Sequence, residues 1–269
     1  MVWHVRDRIA VDYLPRPAVW LVQTMLRLLP AAVIANSVAT RETLGPVTTS
    51  RRCPVVHCSG PIPAGAVSSS SPPAVGADGA EWLTAPFVAG MVGRLAPWKG
   101  QDVFVEAFAK AFPAGPERAV IVGAALFGET DFEAQLRELV VQLGLGDRVD
   151  FLGFREDVDA ILPAFDVLVH ASRTAEPFGQ VIVEAMASGV PVVAAGAGGP
   201  REIVDPEVSG LLFPPGDVDG LAAALLRLRQ DADLRQRLSS NGRHRALDFS
   251  PEVTAAKVRG VYDQVLGSR

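Results

Sequence analysis

From Phe87 onward, short apolar segments alternate with stretches in which apolar residues recur every three or four positions. The segments FVAGMVG, RAVIVGA, RVDFLG, DVLVHA, PVVAAG and GLLF are bounded by Gly, Pro or charged residues, which is typical of buried strands. The stretches between them, such as KGQDVFVEAFAKAF and TDFEAQLRELVVQLGL, have the period of helices. Strands that are apolar on both faces and separated by helices predict a parallel sheet covered on each side, as in a doubly wound, Rossmann-like domain.

The same pattern suggests how the α/β chain is divided into domains. Residues 86–249 contain the predicted Rossmann-like domain, and residues 61–85, rich in Pro, Gly, Ala and Ser without periodic hydrophobicity, predict a linker. Residues 1–60 hold two apolar segments around a helical pattern, which predicts part of another α/β domain, either truncated or unusually small. A last helix within residues 250–269 is predicted to begin at the capping residue Ser250.

Composition excludes some classes of protein. Hydrophobic residues make up 49% of the 269 residues and charged residues only 20%, so the chain can bury a large core and disorder is not expected. The formal net charge is -5 and no run of Lys and Arg is present. Binding to a nucleic-acid backbone needs a concentrated basic surface, so we expect no nucleic-acid partner.

One early segment, AVWLVQTMLRLLPAAVIA, is apolar enough to raise the question of a membrane. It is interrupted by Gln23, Arg27 and Pro30, whereas a bilayer span needs about 20 predominantly apolar residues. A packed helix followed by a strand is the better interpretation, and an amphipathic face against a membrane surface stays open. With no pattern of a secretory signal, we expect a cytoplasmic protein, with contact at the inner face of the membrane left open.

Cys53 and Cys58 flank His57 in a C-x4-C arrangement that could suggest metal ligands. Nothing downstream completes a set of four ligands, so ordinary free thiols in a reducing cytosol are the better interpretation.

The first candidate for a binding site is the loop GRLAPWKG, directly after the first strand of the Rossmann-like domain. In open parallel sheets, ligands bind at the carboxyl ends of the strands, where loops and helix N-termini meet. Arg94 and Lys99 flank a Pro-containing turn, and the free N–H groups of the following helix point into the same space. This arrangement suits a phosphate, although two solvated charges on a loop would look the same.

The second candidate is the turn SRTAEPFG, after the strand that ends near His170. Glu176 precedes Pro177, which disfavours helix, and Gly179 allows the backbone to approach a ligand at the start of the next helix. The unpaired amides and dipole there favour an anion. Alternatively, Glu176 only complements the dipole, and His170 is more typical of a hydrogen-bonded histidine at a strand end than of a catalyst.

The third candidate is the helix that follows this turn. Gln180, Glu184 and Ser188 are spaced i, i+4 and i+8 and form one polar stripe on an otherwise apolar helix. Because a buried carboxylate needs a partner, Glu184 indicates either a ligand or a structural salt bridge to an arginine. A carboxylate commonly holds ribose by accepting hydrogen bonds from its hydroxyls, so Gln180 and Glu184 are candidate nucleotide-binding residues.

Taken together, these segments resemble the retaining glycosyltransferases of family 4, which have the GT-B architecture. The resemblance spans residues 87–266 and includes the E-x7-E spacing of Glu176 and Glu184, the loop GRLAPWKG, RVDFLGF, GLLFPPGD and the helix around VYDQVL, in the family's order. Family members usually carry a complete N-terminal Rossmann domain. The resemblance therefore implies that most of the acceptor-binding half is missing here and that the last helix crosses back toward the N-terminal part.

The resemblance implies roles for the nucleotide-binding residues. Arg94 and Lys99 would bind the diphosphate of a nucleotide sugar and stabilise the charge that grows on it, which makes both candidate catalytic residues. Glu184 would hold the ribose hydroxyls. The backbone near Phe154 and Arg155 would recognise the base.

The resemblance also implies roles at the donor sugar. Glu176, together with the backbone of Phe178 and Gly179, would contact and orient the sugar hydroxyls. A strand of the acceptor domain often carries a histidine near the reacting centre. In VWHVRD, Arg6 occupies the matching position, and His4 lies two residues earlier on the same strand face, so His4 is a further catalytic candidate.

The resemblance thus implies a hexosyltransferase that takes a sugar from a UDP- or GDP-sugar, with retention of configuration, and transfers it to an unknown glycan, lipid or small-molecule acceptor. It also implies that no cofactor beyond this donor, and no divalent metal, is needed for catalysis. Two alternatives stay open: a nucleotide-sugar-binding module without transferase activity, such as a partner subunit, and a nucleotide-sugar epimerase on the same fold.

Overall fold

A computed structural model describes residues 1–11, 14–46, 53–60 and 81–267. These residues form a two-stranded and a six-stranded sheet, both parallel. The strands are β1 (Val2–Val5), β2 (Ala32–Ala35), β3 (Val88–Val92), β4 (Arg118–Val122), β5 (Val149–Gly153), β6 (Val167–His170), β7 (Val192–Ala195) and β8 (Leu211–Phe213).

Helices connect these strands and cover both faces of the larger sheet. They are α1 (Arg16–Leu28), α2 (Val38–Glu42), α3 (Gln101–Ala111), α4 (Thr130–Gln142), α5 (Val158–Ile161), α6 (Gln180–Ser188), α7 (Pro200–Ile203), α8 (Val218–Gln230), α9 (Ala232–Ala246) and α10 (Pro251–Gly267). Single 3₁₀ turns lie at Glu81–Thr84, Pro97–Lys99, Leu162–Ala164 and Leu247–Phe249. The predicted doubly wound α/β fold is confirmed, and α2 and α7, which are too short to show a helical period, were not predicted.

The order of strands in the larger sheet is β5-β4-β3-β6-β7-β8. The chain runs outward from β3 to β5 and then returns to place β6 on the other side of β3. The connections after β3 and β6 therefore diverge and leave a crevice at the carboxyl ends of these strands, the usual ligand site of open parallel sheets. The first and second candidate segments of the sequence both lie at this crevice.

Two apolar clusters hold the larger sheet between its helices. On one face, α3, α4, α8 and α9 bury Phe104, Leu136, Leu225 and Leu238 against the strands. On the other face, α6 buries Ile182, Val183 and Met186. Each strand is covered on both sides, which explains why the strands show continuous apolar segments in the sequence instead of alternation.

The smaller sheet is covered by the last helix of the chain. Val258, Val261 and Val265 of α10 belong to the same apolar cluster as Ala32 and Ile34 of β2. Helix α10 begins after Ser250, whose Oγ accepts a hydrogen bond from the backbone N–H of Val253 at 3.2 Å, as the sequence predicted. The end of the chain thus packs on a sheet formed near its beginning.

The segment predicted as a linker falls largely outside the described residues, because residues 61–80 are among those that the structure does not describe. The end of the predicted segment is not extended: Glu81–Thr84 form a 3₁₀ turn, and Trp82 is buried against Phe165 with ring centroids 6.0 Å apart. None of the described helices is both long and apolar enough to cross a membrane.

Candidate active site

The loop between β3 and α3 is held in place by buried polar contacts. The side chain of Gln101 is fully buried, and its amide donates a hydrogen bond to the backbone oxygen of Arg94 at 2.9 Å. Gly100 has φ +77°, and a Cβ at this position would lie 2.2 Å from the backbone oxygen of Ala171. Only glycine combines this left-handed backbone with so close an approach, so the loop sits directly against the end of β6.

Arg94 lies between two aromatic rings at the mouth of the crevice. Its guanidinium carbon is 5.0 Å from the ring centroid of Phe127 and 5.8 Å from that of Trp98. Arg94 Nε is 3.5 Å from a carboxylate oxygen of Glu129. Cation–π contacts and this ion pair orient the guanidinium without using all of its five N–H donors.

Lys99 and Glu176 form an ion pair in the crevice. Lys99 Nζ donates to Glu176 Oε1 at 2.8 Å, and the two side chains are 17% and 13% exposed. The other oxygen, Oε2, contacts His170 Nε2 at 2.5 Å and accepts a hydrogen bond from the Ser172 hydroxyl at 2.7 Å. The structure thus brings Lys99 and Glu176 together, with two partners that the sequence analysis had not assigned to Glu176.

The charge of Glu176 follows from this network. Burial alone would raise the pKa of its carboxyl group, but His170 and Lys99 together lower that pKa well below its usual range. Glu176 is therefore an anion at neutral pH. An anionic, hydrogen-bonded carboxylate can accept hydrogen bonds from hydroxyl groups, and it is poorly suited to donate a proton.

Glu184 lies in a different environment on the next helix. Its carboxylate accepts a hydrogen bond from Gln180 Nε2 at 3.1 Å, and in the part of the chain that the structure describes no arginine contacts it. Burial raises the pKa of Glu184, and the hydrogen bond from Gln180 only partly offsets this effect. The alternative of a structural salt bridge therefore finds no partner among the described residues.

The start of α6 offers backbone groups to the crevice. Gly179 has φ +102°, and a Cβ there would lie 3.1 Å from Ile182 Cδ1. The Phe178 side chain turns away and packs between His57 and Phe249, with ring centroids 5.8 and 5.7 Å apart. The Phe178 ring is therefore occupied by these aromatic contacts, and a contact of the Phe178 and Gly179 backbone with a ligand stays a prediction.

These loops border a cavity of about 390 Å³. One wall comes from the segment that follows β1, namely Arg6, Asp7 and Arg8, and the opposite wall includes Arg94, Trp98 and Glu176. Arg8 crosses the gap, because Nη1 of its guanidinium group donates a hydrogen bond to the backbone oxygen of Ala175 at 3.3 Å. The cavity therefore lies between the two sheets, with charged groups on both sides.

His4 does not line this cavity. Its Nε2 is 3.2 Å from the hydroxyl of Tyr262 in α10, so the ring faces the last helix. Strand β1 ends at Val5, and the residues after the strand, where the alternation of strand side chains no longer applies, reach the cavity instead. Arg6 and Arg8 occupy the wall that His4 was expected to supply, and a catalytic role of His4 stays a prediction.

Phe154 and Arg155 follow β5, at the edge of the larger sheet, and do not line the cavity. The Phe154 side chain is 69% exposed, and Arg155 forms an ion pair with Asp157 at 2.7 Å. Within the described residues, no group of three or more His, Cys, Asp or Glu side chains could hold a metal ion, and Cys53 and Cys58 are free thiols.

The fold and the crevice together define a protein of GT-B architecture. The structure is similar to Anabaena HepE in complex with UDP, with a TM-score of 0.85 and 30% identity over 98% of this chain and 72% of that chain. It is equally similar to the same protein in complex with UDP-glucose, with a TM-score of 0.84 and 30% identity over 100% of this chain and 72% of that chain.

The chain belongs to the family of group 1 glycosyl transferases, whose family model matches residues 80–245. It is 33% identical over 181 residues to the lipopolysaccharide core biosynthesis mannosyltransferase LpsB of Rhizobium meliloti, covering 66% of this chain and 51% of that protein. It is 36% identical over 189 residues to D-inositol 3-phosphate glycosyltransferase of Stackebrandtia nassauensis, covering 68% of this chain and 42% of that protein. The chain thus spans about half the length of the curated relatives that it matches, or less.

Proposed function

We propose that this chain binds a UDP- or GDP-sugar in the crevice between its two sheets and transfers the sugar to an acceptor with retention of configuration. The observation that carries the proposal is the buried pair of Lys99 and Glu176 at the point where the strand order reverses. Glu176 of this pair lines the cavity together with Arg94. A cation next to an anionic hydrogen-bond acceptor suits a diphosphate joined to a sugar.

The diphosphate would lie against Arg94, Lys99 and the start of α6. Lys99 uses one N–H on Glu176, and an ammonium group has three, so it can donate to a phosphate oxygen at the same time. The free amides and dipole at the start of α6 add partial positive charge. These groups supply the positive charge that a divalent ion supplies in other transferases, so we propose that no metal is needed for transfer.

The nucleoside would extend along α6 toward Glu184. This carboxylate, which is hydrogen-bonded to the amide of Gln180 among the described residues, would accept hydrogen bonds from ribose hydroxyls. The base would lie near the backbone of Phe154 and Arg155, at the end of β5. UDP is the first choice of nucleotide because the similar HepE structures hold UDP or UDP-glucose, and GDP is the second.

Transfer requires that the bond between the anomeric carbon and the diphosphate oxygen breaks while a bond to an acceptor hydroxyl forms. Arg94 and Lys99 would stabilise the charge that develops on the leaving diphosphate, and a diphosphate oxygen would take the acceptor's proton. Retention follows if the acceptor approaches on the face from which the diphosphate leaves. Both oxygens of Glu176 are already hydrogen-bonded, so we assign this residue to hold sugar hydroxyls and not to act as a nucleophile.

The acceptor is a glycan, a lipid or a small molecule in this proposal, bound on the side of Arg6 and Arg8. The named relatives are a mannosyltransferase of lipopolysaccharide core synthesis and a D-inositol 3-phosphate glycosyltransferase. Because the chain spans about half of their length or less, a binding module without turnover and an epimerase stay as outcomes of the experiment.

The proposal is tested by calorimetric titration of UDP, GDP and their sugar conjugates into the parent protein and Lys99→Met. We expect nucleotide binding by the parent and roughly ten- to hundredfold weaker binding by the variant, because a hydrogen-bonded charge contact to phosphate is lost. Lys110→Met is the matched control, since Lys110 pairs with Asp219 on the surface and both side chains are more than half exposed.

Nucleotide release with a panel of acceptors then separates transfer from binding alone, and the anomeric coupling of the product in proton NMR reports the configuration. Unchanged UDP and GDP affinity in Lys99→Met, relative to Lys110→Met, would show that the crevice is not the donor site. An inverted anomeric centre would reject retention.

A further inference from the structure

His170 and Ser172 are buried beneath the proposed site and do not line its cavity. Their side chains are 3% and 1% exposed, and each contacts the carboxylate of Glu176. His170 is the last residue of β6, and Ser172 lies two positions later, before the chain turns back to Glu176. Any effect of these two residues on a ligand would therefore pass through Glu176.

The hydrogen bonds of the Glu176 carboxylate leave one acceptor position open among the described contacts. A carboxylate oxygen accepts about two hydrogen bonds. Oε2 is filled by His170 at 2.5 Å and Ser172 at 2.7 Å, whereas Oε1 accepts only from Lys99 at 2.8 Å. The second position on Oε1 is thus the one that a ligand hydroxyl can occupy, next to the ammonium group of Lys99.

The surroundings of His170 make Nε2 the nitrogen that donates a hydrogen bond to Glu176. Its second ring nitrogen, Nδ1, is buried and has no hydrogen-bond partner among the described residues. A proton on Nδ1 would be a buried donor without an acceptor, which is costly, whereas a bare lone pair costs less. His170 then donates to the Glu176 carboxylate through Nε2.

We propose that His170 and Ser172 are positioning residues that fix the Glu176 carboxylate, so that Oε1 accepts a hydroxyl of the donor sugar while Lys99 faces the diphosphate. This inference rests on the proposed function and deepens it. It assigns His170, Ser172 and Glu176 to recognition of the sugar and leaves recognition of the nucleotide to Arg94, Lys99, Glu184 and the start of α6.

The test compares how tightly each variant binds a nucleotide and the matching nucleotide sugar. UDP, UDP-glucose, UDP-N-acetylglucosamine, GDP and GDP-mannose are titrated calorimetrically into the parent, and the sugar that adds most affinity over its nucleotide is used. In His170→Leu we expect that nucleotide sugar to bind at least tenfold more weakly, because a hydrogen bond to a charged group is lost, while the nucleotide changes less than about threefold. His170→Gln keeps an N–H donor and should recover most of the affinity for the sugar.

An equal loss of nucleotide and nucleotide-sugar affinity in His170→Leu would assign His170 to structural support only and overturn the proposal, as would an unchanged affinity for both. If His170→Leu does not fold, the smaller substitution Ser172→Ala is titrated in its place. We expect its affinity for the nucleotide sugar to fall about three- to tenfold, with no change in its affinity for the nucleotide. A parent that binds nucleotide but gains nothing from any of the sugars overturns this inference only. A parent that binds no nucleotide overturns the proposed function itself.

Discussion

Two glutamates of one crevice lie in opposite electrostatic environments. Glu176 is held as an anion by Lys99 and His170, which lower its pKa in spite of burial. Burial raises the pKa of Glu184, whose described partner is the neutral amide of Gln180. The charge of Glu176 is therefore already balanced by groups of the protein. Hydrogen bonds from ligand hydroxyls would instead stabilise the anionic form of Glu184.

The first prediction concerns Glu184→Gln. Because the folded-state pKa of Glu184 is raised, the parent loses stability as pH rises from its ordinary pKa through the raised value, and the loss persists at neutral pH. Removing the charge should therefore increase the melting temperature by about 1–3 °C at pH 7.5 and leave it nearly unchanged at pH 4. Saturating UDP should stabilise the variant less than the parent.

Glu138→Gln is the control for this experiment. Glu138 accepts a hydrogen bond from Gln142, four residues later, at 3.0 Å, but it is exposed on α4. Its replacement should change neither the melting temperature at pH 7.5 nor the effect of UDP. A Glu184→Gln protein that is less stable than the parent at pH 7.5 would show that the carboxylate has a structural partner.

At the scale of elements, the site depends on two connections that meet only because β3 and β6 are neighbours. The loop after β3 carries Arg94 and Lys99, and the loop after β6 carries Glu176. Gly100 lets the first loop approach the backbone of Ala171 in the second. The ion pair of Lys99 and Glu176 is therefore a consequence of how closely the two loops pack.

The second prediction tests that packing with Gly100→Ala. The new Cβ would lie 2.2 Å from the backbone oxygen of Ala171, so the loop must move away and separate Lys99 from Glu176. We expect a loss of about 2–4 kcal/mol in the free energy of unfolding, measured by denaturant titration, and UDP binding at least tenfold weaker.

Gly144→Ala supplies the matched comparison. Gly144 has a similar φ of +68°, but a Cβ there would meet nothing within 4 Å. Only the cost of the left-handed backbone remains, about 1–2 kcal/mol, with no effect on UDP binding. Equal losses of stability and of UDP binding in the two variants would mean that the close approach to Ala171 does not matter.

The sequence predicted the strands and the long helices because their apolar patterns are continuous, and it predicted the site loops because ligands bind where strand order reverses. It could not show that Glu176 turns back to His170, since that contact depends on the conformation of the intervening turn. The one-turn helices α2 and α7 contain too few residues for a period. The sequence also could not show that the residues after β1 form the cavity wall, since the alternation of strand side chains does not apply past Val5.

At the scale of the whole molecule, Glu202 joins the two sheets. This residue lies in α7, beside the larger sheet, and its carboxylate accepts hydrogen bonds from the backbone N–H groups of Val38 at 2.8 Å and Ala39 at 2.9 Å, at the start of α2. It also contacts His57 Nε2 at 3.0 Å. Burial raises the pKa of Glu202, but His57 and the two amides lower it further, so the carboxyl group is ionised at neutral pH.

The third prediction is that Glu202→Gln weakens the junction between the sheets. A lowered folded-state pKa gives stability that is present above the ordinary pKa of a glutamate and is lost as pH falls. The variant should lose about 1–3 kcal/mol of unfolding free energy at pH 7, and its stability should depend less on pH between about 5 and 3 than that of the parent. Denaturant titrations across this pH range provide the measurement.

Glu207→Gln serves as the reference, because Glu207 forms an ion pair with Arg227 at 2.7 Å in which both side chains are about half exposed. Exposed pairs contribute at most about 1 kcal/mol. If the two variants lose the same small amount at pH 7, Glu202 is an ordinary surface charge and does not hold the sheets together.

The packing of α10 on the small sheet has a consequence for the order of events during synthesis. Val258, Val261 and Val265, which cover Ala32 and Ile34, are translated more than two hundred residues after them. Contacts between residues so far apart in sequence form late, and until then the apolar surface of β2 is exposed to aggregation or to chaperone binding. We expect the larger sheet to fold before α10 covers β1 and β2.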